Sequence, residues 1–328
     1  MTDTNDLVST KTNGREIDTL DHALVERLRI DGREGSRSLA KALGVNEVTI
    51  SNRIRRLEQS SMMRVVAVVS PQAVGRNELC IALIRVKGRA AVDVAAEIAA
   101  LPEALGVNVT SGSYDLIVFF IAKDHQHLGE VFTGSLLEVE GVDESRGDLV
   151  LEVLKFDAMW ASLDGDFAPM TADDFAQAET LDVTDVEIIR LLQDNARQSN
   201  RKIAAELGVS EGTVRSRIKR MQDERIIRIQ AISDVSAFGV AAAALIGIRV
   251  DAHLTDDVAK HLLTLDPLAV VVRTFGEYHL MVMAHAADHD ALVDVILNQI
   301  SPIPGVRRAE AFEIWRVFNH RYLWSYII

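Results

Sequence analysis

Two short basic runs hold the residues in this chain best suited to chemistry. One sets Arg53, Arg55 and Arg56 beside Thr49 and Asn52; the other sets Arg215, Arg217, Lys219 and Arg220 beside Thr213 and Ser216. On a helical wheel anchored at an inward-facing Ile50, the first run turns Val48, Thr49, Asn52, Arg55 and Arg56 outward, with Arg53 at the flank. The second turns Gly212, Thr213, Ser216, Lys219 and Arg220 outward, with Arg217 at the flank and Arg215 nearby. Guanidinium and ammonium groups neutralise phosphates or fork onto guanine edges, and an Asn amide pairs with adenine. A major groove admits one α-helix, so each face has the chemistry to read double-stranded DNA. A solvated helix face is the plainer reading of a charge run. What decides between them is the set of elements that hold the run, and its recurrence.

The recurrence is exact in spacing. Adding 164 to a residue number in the first half finds its counterpart in the second without a gap: Leu43-Gly44-Val45 meets Leu207-Gly208-Val209, Asp124-His125 meets Asp288-His289, and Trp160 meets Trp324. Each copy is therefore a complete folding unit, and whatever one copy does the chain does twice.

Each copy begins with three short helices. The stretch Asp18–Asp31 has Leu20, Leu24, Val25 and Leu28 on one face, echoed by Ile188, Leu191 and Leu192. Ser36 reads as the cap of a second helix, and Gly44 as the permissive residue of the turn that follows. Asn46 and Ser210 read as caps of the basic third helices, with Ile50, Ile54 and Leu57, or Val214, Ile218 and Met221, inward. Three helices with a Gly turn between the second and third form a helix-turn-helix pattern. Val65–Val69 then reads as a strand. Leu79–Val86, Ala91–Leu101, Val107–Thr110, Leu116–Ala122, His127–Leu137 and Leu149–Phe156 read as βαββαβ, the ferredoxin-like split sandwich. The expected fold class is α+β: two tandem copies of a winged or plain helix-turn-helix domain, each followed by such a sandwich. The expected units are a tail (1–16), a first DNA-binding domain (17–67), a first sandwich (68–160), an acidic linker (161–180), a second DNA-binding domain (181–231) and a second sandwich (232–328).

The net charge of −13 over 328 residues argues at first against nucleic acid. Distribution matters more than the total. Ile17–Arg64 has nine Lys/Arg against seven Asp/Glu, and Leu181–Arg228 has ten against eight, so two mildly basic modules sit on an acidic body. A single cysteine, Cys80 among apolar neighbours, fits a reducing compartment and a buried structural thiol. Met1–Glu16 has no apolar centre and the longest apolar run, Leu116–Ala122, is far too short to span a bilayer, so a soluble, cytoplasmic protein without membrane association is expected. His125-x-His127 and His285-x-x-x-His289 lack a cysteine or carboxylate set, so no metal site is expected. There is no phosphate loop, nucleophile elbow or Cys/His dyad; no catalytic residue and no cofactor are expected.

Leu181-Asp182-x-x-Asp185, Ile189-x-x-Leu192, Asn195-x-Arg197, Ile203-Ala204-x-x-Leu207-Gly208-Val209-Ser210, Val214-x-x-Arg217-Ile218-Lys219-Arg220-Met221 and Ile226-Ile227-Arg228 resemble the Lrp/AsnC family of transcription regulators. The first copy is similar but looser, with Met62-Met63-Arg64 for Ile-Ile-Arg. Ser61 and Arg225 stand where that family usually places glycine, so a turn of different shape is expected there. The resemblance covers Ile17–Trp160 and Leu181–Trp324.

The resemblance implies that the sandwiches oligomerise and bind a small effector, commonly an amino acid, near the subunit contacts. The corresponding turns are Ser111-Gly112-Ser113-Tyr114-Asp115 and Phe275-Gly276-Glu277-Tyr278-His279. Glycine and the N–H groups beside it can hold a carboxylate, and Tyr and Asp can answer an ammonium group. His279 in place of the acid makes the second turn the weaker candidate, and an ordinary hairpin turn is the alternative for both. Paired recognition helices would reach successive major grooves about 34 Å apart. Two rivals stay open: an architectural DNA-binding protein with no effector, and an enzyme, since sirohaem decarboxylases are similar in architecture. Whether the copies pair within one chain or between chains is also open.

Overall fold

The computed structural model describes residues 17–156, 160–161, 180–234 and 238–318. The expected N-terminal tail, nearly all of the expected linker and Trp324 lie outside the described residues. The fold is α+β and is built twice.

In the first copy α1 (Thr19–Ile30), α2 (Ser36–Leu43) and α3 (Glu47–Gln59) precede β1 (Met63–Val69). Asp18 caps α1 through a reciprocal capping box with Asp21. Such a box satisfies two of the orphan N–H groups at a helix start. The cap of α2 is Gly35, so Ser36 is its first helical residue and makes no cap. Gly44 ends α2 in the left-handed conformation, φ 69°, and Asn46 accepts from Thr49 N–H to start α3. α6 (Val183–Asp194), α7 (Asn200–Leu207), α8 (Glu211–Asp223) and β7 (Ile227–Asp234) repeat the arrangement, with Ser210 capping α8. Ser61 and Arg225 keep the backbone that glycine would give, at φ 55° and 56°. The expectation of a differently shaped turn there is therefore corrected: the geometry is retained and the side chains bear its steric cost.

β1 and β7 pair with each other, antiparallel, from Met63 opposite Ser233 to Val69 opposite Ile227. The strand after each third helix is thus shared between the copies and does not fold back as a wing within its own. A two-residue strand, β6 (Trp160–Ala161), adds to β7 in parallel. α1 packs on β7 and α6 on β1, so each first helix lies on the other copy's strand. β1 is covered on both faces, and its sequence is accordingly a continuous apolar run. Leu24, Leu28, Ile50, Ile188, Ile218 and Ile232 belong to one continuous core spanning both helix-turn-helix modules.

The sandwich of copy one runs β2 (Glu78–Val86), α4 (Ala91–Ala99), β3 (Ala104–Thr110), β4 (Leu116–Ala122), α5 (His125–Glu130) and β5 (Val142–Phe156). Its second helix is shorter than expected and widens into a π-turn over Val131–Ser135. Its last strand starts seven residues earlier than the alternation from Leu149 suggested. Copy two repeats the order with β8 (Ala242–Val250), α9 (Thr255–Leu262), β9 (Leu268–Phe275), β10 (Leu280–Ala286), α10 (His289–Asp294), a π-turn at Val295–Ile300 and β11 (Val306–Phe318).

The two four-stranded sheets close into one eight-stranded barrel. The long last strands do this. β5 pairs with its own β2 as far as Leu149 opposite Cys80 and then with β9 of copy two. β11 pairs with β8 and then, from Ile314, with β3 of copy one. Alternate residues divide the burial: Ala82 and Ile84 of β2 meet α4, whereas Ile81 and Leu83 face the barrel interior with Leu245, Val272, Met281 and Phe312. The copies therefore pair within the chain.

Candidate functional site

The third helices of both modules stand at the surface. On α3, Val48 is 68% exposed, Asn52 and Arg55 are exposed and Thr49 is half-buried beside the cap. On α8, Arg215, Ser216 and Lys219 are exposed, Thr213 is half-buried and Gly212 presents no side chain. Arg215 pairs with Glu211 at 2.8 Å and Lys219 with Asp223 at 2.6 Å, both one turn along the same helix. Exposed pairs of this kind contribute about 0.3–0.5 kcal/mol, so a phosphate displaces them easily.

Arg53 and Arg217 keep the flank position expected of them and Arg56 is exposed, but these three and Arg220 are engaged by carboxylates of the chain itself. Arg53 Nη1 lies 2.7 Å from Asp18 and 2.8 Å from Asp21, and Arg56 also grips Asp21. Copy two repeats this with Arg217 on Asp182 and Asp185, and Arg220 on Asp185 at 2.6 Å. Asp21 and Asp185 are buried. Two guanidiniums on one buried carboxylate clamp the third helix to the start of the first. The Arg53 guanidinium, with the Asp21 N–H, holds the Asp18 carboxyl well below the carboxylate range, at about 2. The Asp18/Asp21 and Asp182/Asp185 pairs, repeated at the 164 offset, were the available signal for this clamp. The wheel missed it because a wheel shows direction and not partners.

The orientation of one module to the other is fixed from both sides. Arg33 donates to Asn200 Oδ1 at 2.9 Å and to the Gln198 carbonyl at 2.5 Å. Its counterpart Arg197 donates to the carbonyls of Gly32 at 2.7 Å and Glu34 at 3.1 Å. Burial pushes both guanidiniums below their usual pKa.

The glycine turns lie at the junction of the two sandwiches, and both are filled by the chain itself. Asp148 of β5, 1% exposed, accepts from the N–H groups of Glu277 at 2.7 Å and Tyr278 at 3.0 Å. The carboxylate expected to be held beside Gly276 is thus supplied from within the chain. A Cβ on Gly276 would come 2.1 Å from Asp148 Oδ1, so only glycine allows this approach. Burial raises the Asp148 carboxyl pKa, against the lowering effect of those two N–H groups. Glu277 accepts from Tyr114 Oη at 2.7 Å and from Arg249 Nη2 at 2.8 Å. The position equivalent to Asp148 is Phe312, whose ring lies 3.2 Å from where a Gly112 Cβ would be. Ser113 hydrogen-bonds Glu310, and its carbonyl accepts from Arg85 Nε at 2.9 Å.

Tyr114 and Tyr278 are buried in the barrel interior, with Tyr114 pushed up to about 12 by burial and Glu277. Asp115 accepts from Val86 N–H at 2.8 Å and His279 Nδ1 from Val250 N–H at 3.3 Å. Ser111 donates its N–H to the Glu313 carbonyl. Sequence reasoning missed Asp148, Arg249 and Glu310. The signal was the exchange of Asp148 for Phe312 at the common offset.

The histidines are dispersed: His125 pairs with Glu78 at 3.1 Å, His127 with Glu103 at 3.0 Å and His289 with Glu313 at 3.2 Å. No helix among the described residues is long and apolar enough to cross a membrane.

The AsnC-type helix-turn-helix domain matches residues 17–58 and 181–222, and the Lrp/AsnC ligand binding domain matches 79–160 and 243–322. The HTH-type transcriptional regulator FL11 of Pyrococcus furiosus is 35% identical over 140 residues, 42% of this chain and 92% of that protein. The HTH-type transcriptional regulator Ptr1 of Methanocaldococcus jannaschii is 32% identical over 140 residues, 42% of this chain and 95% of that protein. The crystal structure of the siroheme decarboxylase NirDL superposes with a TM-score of 0.61 over 90% of this chain and 91% of that one, at 13% identity, a likeness of fold alone. Each relative in sequence thus corresponds to one copy, and the chain belongs to the Lrp/AsnC family of helix-turn-helix transcription regulators, with both family domains present twice.

Proposed function

We propose that the chain reads DNA as a single molecule, placing α3 and α8 in two major grooves at unlike half-sites. The observation that carries this is the pair of surface helices set in one shared core with different outward residues. Asn52 and Arg55 suit adenine and guanine edges, and Val48 suits a thymine methyl; Ser216 and Lys219 answer the first two on α8, and Gly212 leaves the third place empty. Thr49, Thr213 and Arg215 add contacts at the helix starts. The clamp arginines Arg53, Arg56, Arg217 and Arg220 act by aiming these helices, and any phosphate contact they make is secondary. Selection of bound sequences from a random pool tests the proposal: two different half-sites at one fixed spacing are expected. Asn52→Ala should relax one half-site, and Lys219→Ala should weaken the other and reduce the salt dependence. A symmetric selected site would overturn it.

The sandwiches sense a small effector in this reading, with an amino acid the first class to screen. Because the two glycine turns are closed by Asp148 and Phe312, an effector acting there must displace a side chain of the chain itself. Further homo-oligomerisation through the sandwiches is supported by the exposed Leu151, Phe275 and Trp315 of β5, β9 and β11. Trp315→Glu should then lower the mass found by sedimentation. The regulator works in the cytoplasm, where the chromosome is. The decarboxylase reading has fold likeness over 90% of the chain in its favour. Absorbance shifts and gas release on adding an iron porphyrin would support it, and their absence leaves the regulator.

A further inference from the structure

A cavity of about 390 Å³ opens on the helical face of the first sandwich, between α5 with its π-turn and strands β2 and β5. Its walls are Cys80, Leu128, Gly129, Phe132, Gly147 and Leu149, and His125 stands at the mouth. We propose that this cavity is a ligand site for a monocyclic aromatic molecule with one polar substituent, bound once per chain.

The duplication supports it, because copy two has the same elements with different side chains on these walls. Gly129 becomes Val293, Phe132 becomes Ile296 and Leu149 becomes Glu313 at the common offset. The His289 ring in copy two is engaged by the Glu313 carboxylate at 3.2 Å, whereas His125 is turned to Glu78 at the rim and is 76% exposed. Across the floor, Cys80 and Gly147 replace the Ala244 and Ala311 of copy two, and a Cβ on Gly147 would lie 2.9 Å from Cys80 Sγ and 3.0 Å from Phe132 Cζ. Copy one has therefore lost side-chain volume at Gly129 and Gly147 and gained some at Phe132 and Cys80, so the space is reshaped toward the Gly129 wall while the fold is kept.

The lining chemistry selects the ligand. Phe132 offers an aromatic edge and Cys80 a polarisable sulfur, both of which favour a ring. Burial pushes the Cys80 thiol up to about 12, so it is a wall and not a nucleophile. Leu128 and Leu149 complete an open apolar hollow with His125 at its mouth, so a single polar substituent pointing outward to solvent is accommodated. The size is in the range of small-molecule pockets. The π-turn at Val131–Ser135 carries Phe132, and such widened turns recur at functional sites.

This inference is independent of DNA reading, and its test contains no DNA. Full-length protein is titrated calorimetrically with phenol, benzoate and, as a non-aromatic control, cyclohexanol. One site per chain is expected for phenol and benzoate, with cyclohexanol at least fivefold weaker. Gly129→Val copies the residue of the second sandwich at a position with open space around it, and should weaken both aromatic ligands tenfold or more without lowering the melting temperature. The double variant Cys80→Ala/Gly147→Ala installs the second sandwich's floor, puts a Cβ 3.0 Å from Phe132 Cζ and so should shift that ring and weaken both aromatic ligands. Absence of binding, two equal sites per chain, or unchanged binding in Gly129→Val would overturn the proposal. Mobility-shift behaviour is a separate readout, so loss of this site leaves the DNA reading standing.

Discussion

Arg33 and Arg197 stand at equivalent positions in the two copies, and each donates to backbone carbonyls of the other copy's helix-turn-helix module. The contact is reciprocal, so tilting either module breaks bonds at both ends. Arg33→Ala with Arg197→Ala leaves those carbonyls without their charged donors, at about 1.5–3 kcal/mol for each arginine. The urea midpoint should fall accordingly, and affinity for a two-half-site duplex should fall more than affinity for one half-site. Lysine at both positions should restore part of the stability but not the fork geometry. An unchanged midpoint in the double Ala variant would show the arginines to be passive.

Ser61 and Arg225 hold left-handed backbone that glycine adopts freely. Ser61→Gly and Arg225→Gly should each stabilise the protein by about 0.5–1 kcal/mol, the relief of side-chain crowding less the extra freedom of the unfolded chain. Thermal melts of the two single variants measure this, and a loss of stability in both would refute the strain.

Asp148 holds two N–H groups with its two oxygens. Asn has one oxygen, and its amide nitrogen would face an N–H that it cannot accept from. Asp148→Asn is therefore expected to cost about 1–3 kcal/mol near neutral pH. Equal stability by denaturant titration would mean that the carboxylate does not hold the Glu277 turn.

A Cβ at Gly247 would sit 2.6 Å from the Tyr278 ring. Gly247→Ala should destabilise by about 1–3 kcal/mol through overpacking. Combining it with Tyr278→Leu should recover part of that loss, because the two changes share one space. Strict additivity in the double-mutant cycle would contradict the contact.

Acid should loosen the third-helix clamps. Asp18 titrates near 2 when folded against about 3.9 unfolded, and the Asp182 carboxyl is lowered too. A depressed carboxylate contributes its full stability above the unfolded pKa and loses it as pH falls through the folded one. The denaturant midpoint should thus drop between about pH 4 and 2, and Asp18→Asn with Asp182→Asn, which keep the caps, should flatten that limb. Asp148, raised by burial, acts with the opposite sign, its contribution declining as pH rises from its unfolded pKa through its folded one.

Fold order and duplication were legible because they rest on local rules: periodicity, caps at Asn46 and Ser210, and Gly44 as a turn. The identity of the partners was not. That β1 pairs with β7, or that β5 leaves its own sheet at Leu149, depends on surfaces more than a hundred residues apart, and alternation reads the same whichever neighbour a strand takes. The exposed members of the candidate interface, Asn52, Arg55, Ser216 and Lys219, were accessible to a helical wheel. The clamp arginines were placed by it on or beside the outward face, but their partners, the buried acids Asp21 and Asp185, were not visible to it. The filled turns stayed hidden for the same reason: Asp148 stands just before the run that reads as a strand, and only its distant N–H donors give it a role.

The strand exchange through β5 and β11 changes how the molecule answers to its own abundance. A reader assembled from two separate subunits appears in proportion to the square of its concentration when scarce. Here both halves arrive on one ribbon, already interlocked, so the number of joined pairs of helix-turn-helix modules rises in direct proportion to the number of chains made. The halves are also always one of each, with no mixture of like pairs to compete for the same promoter.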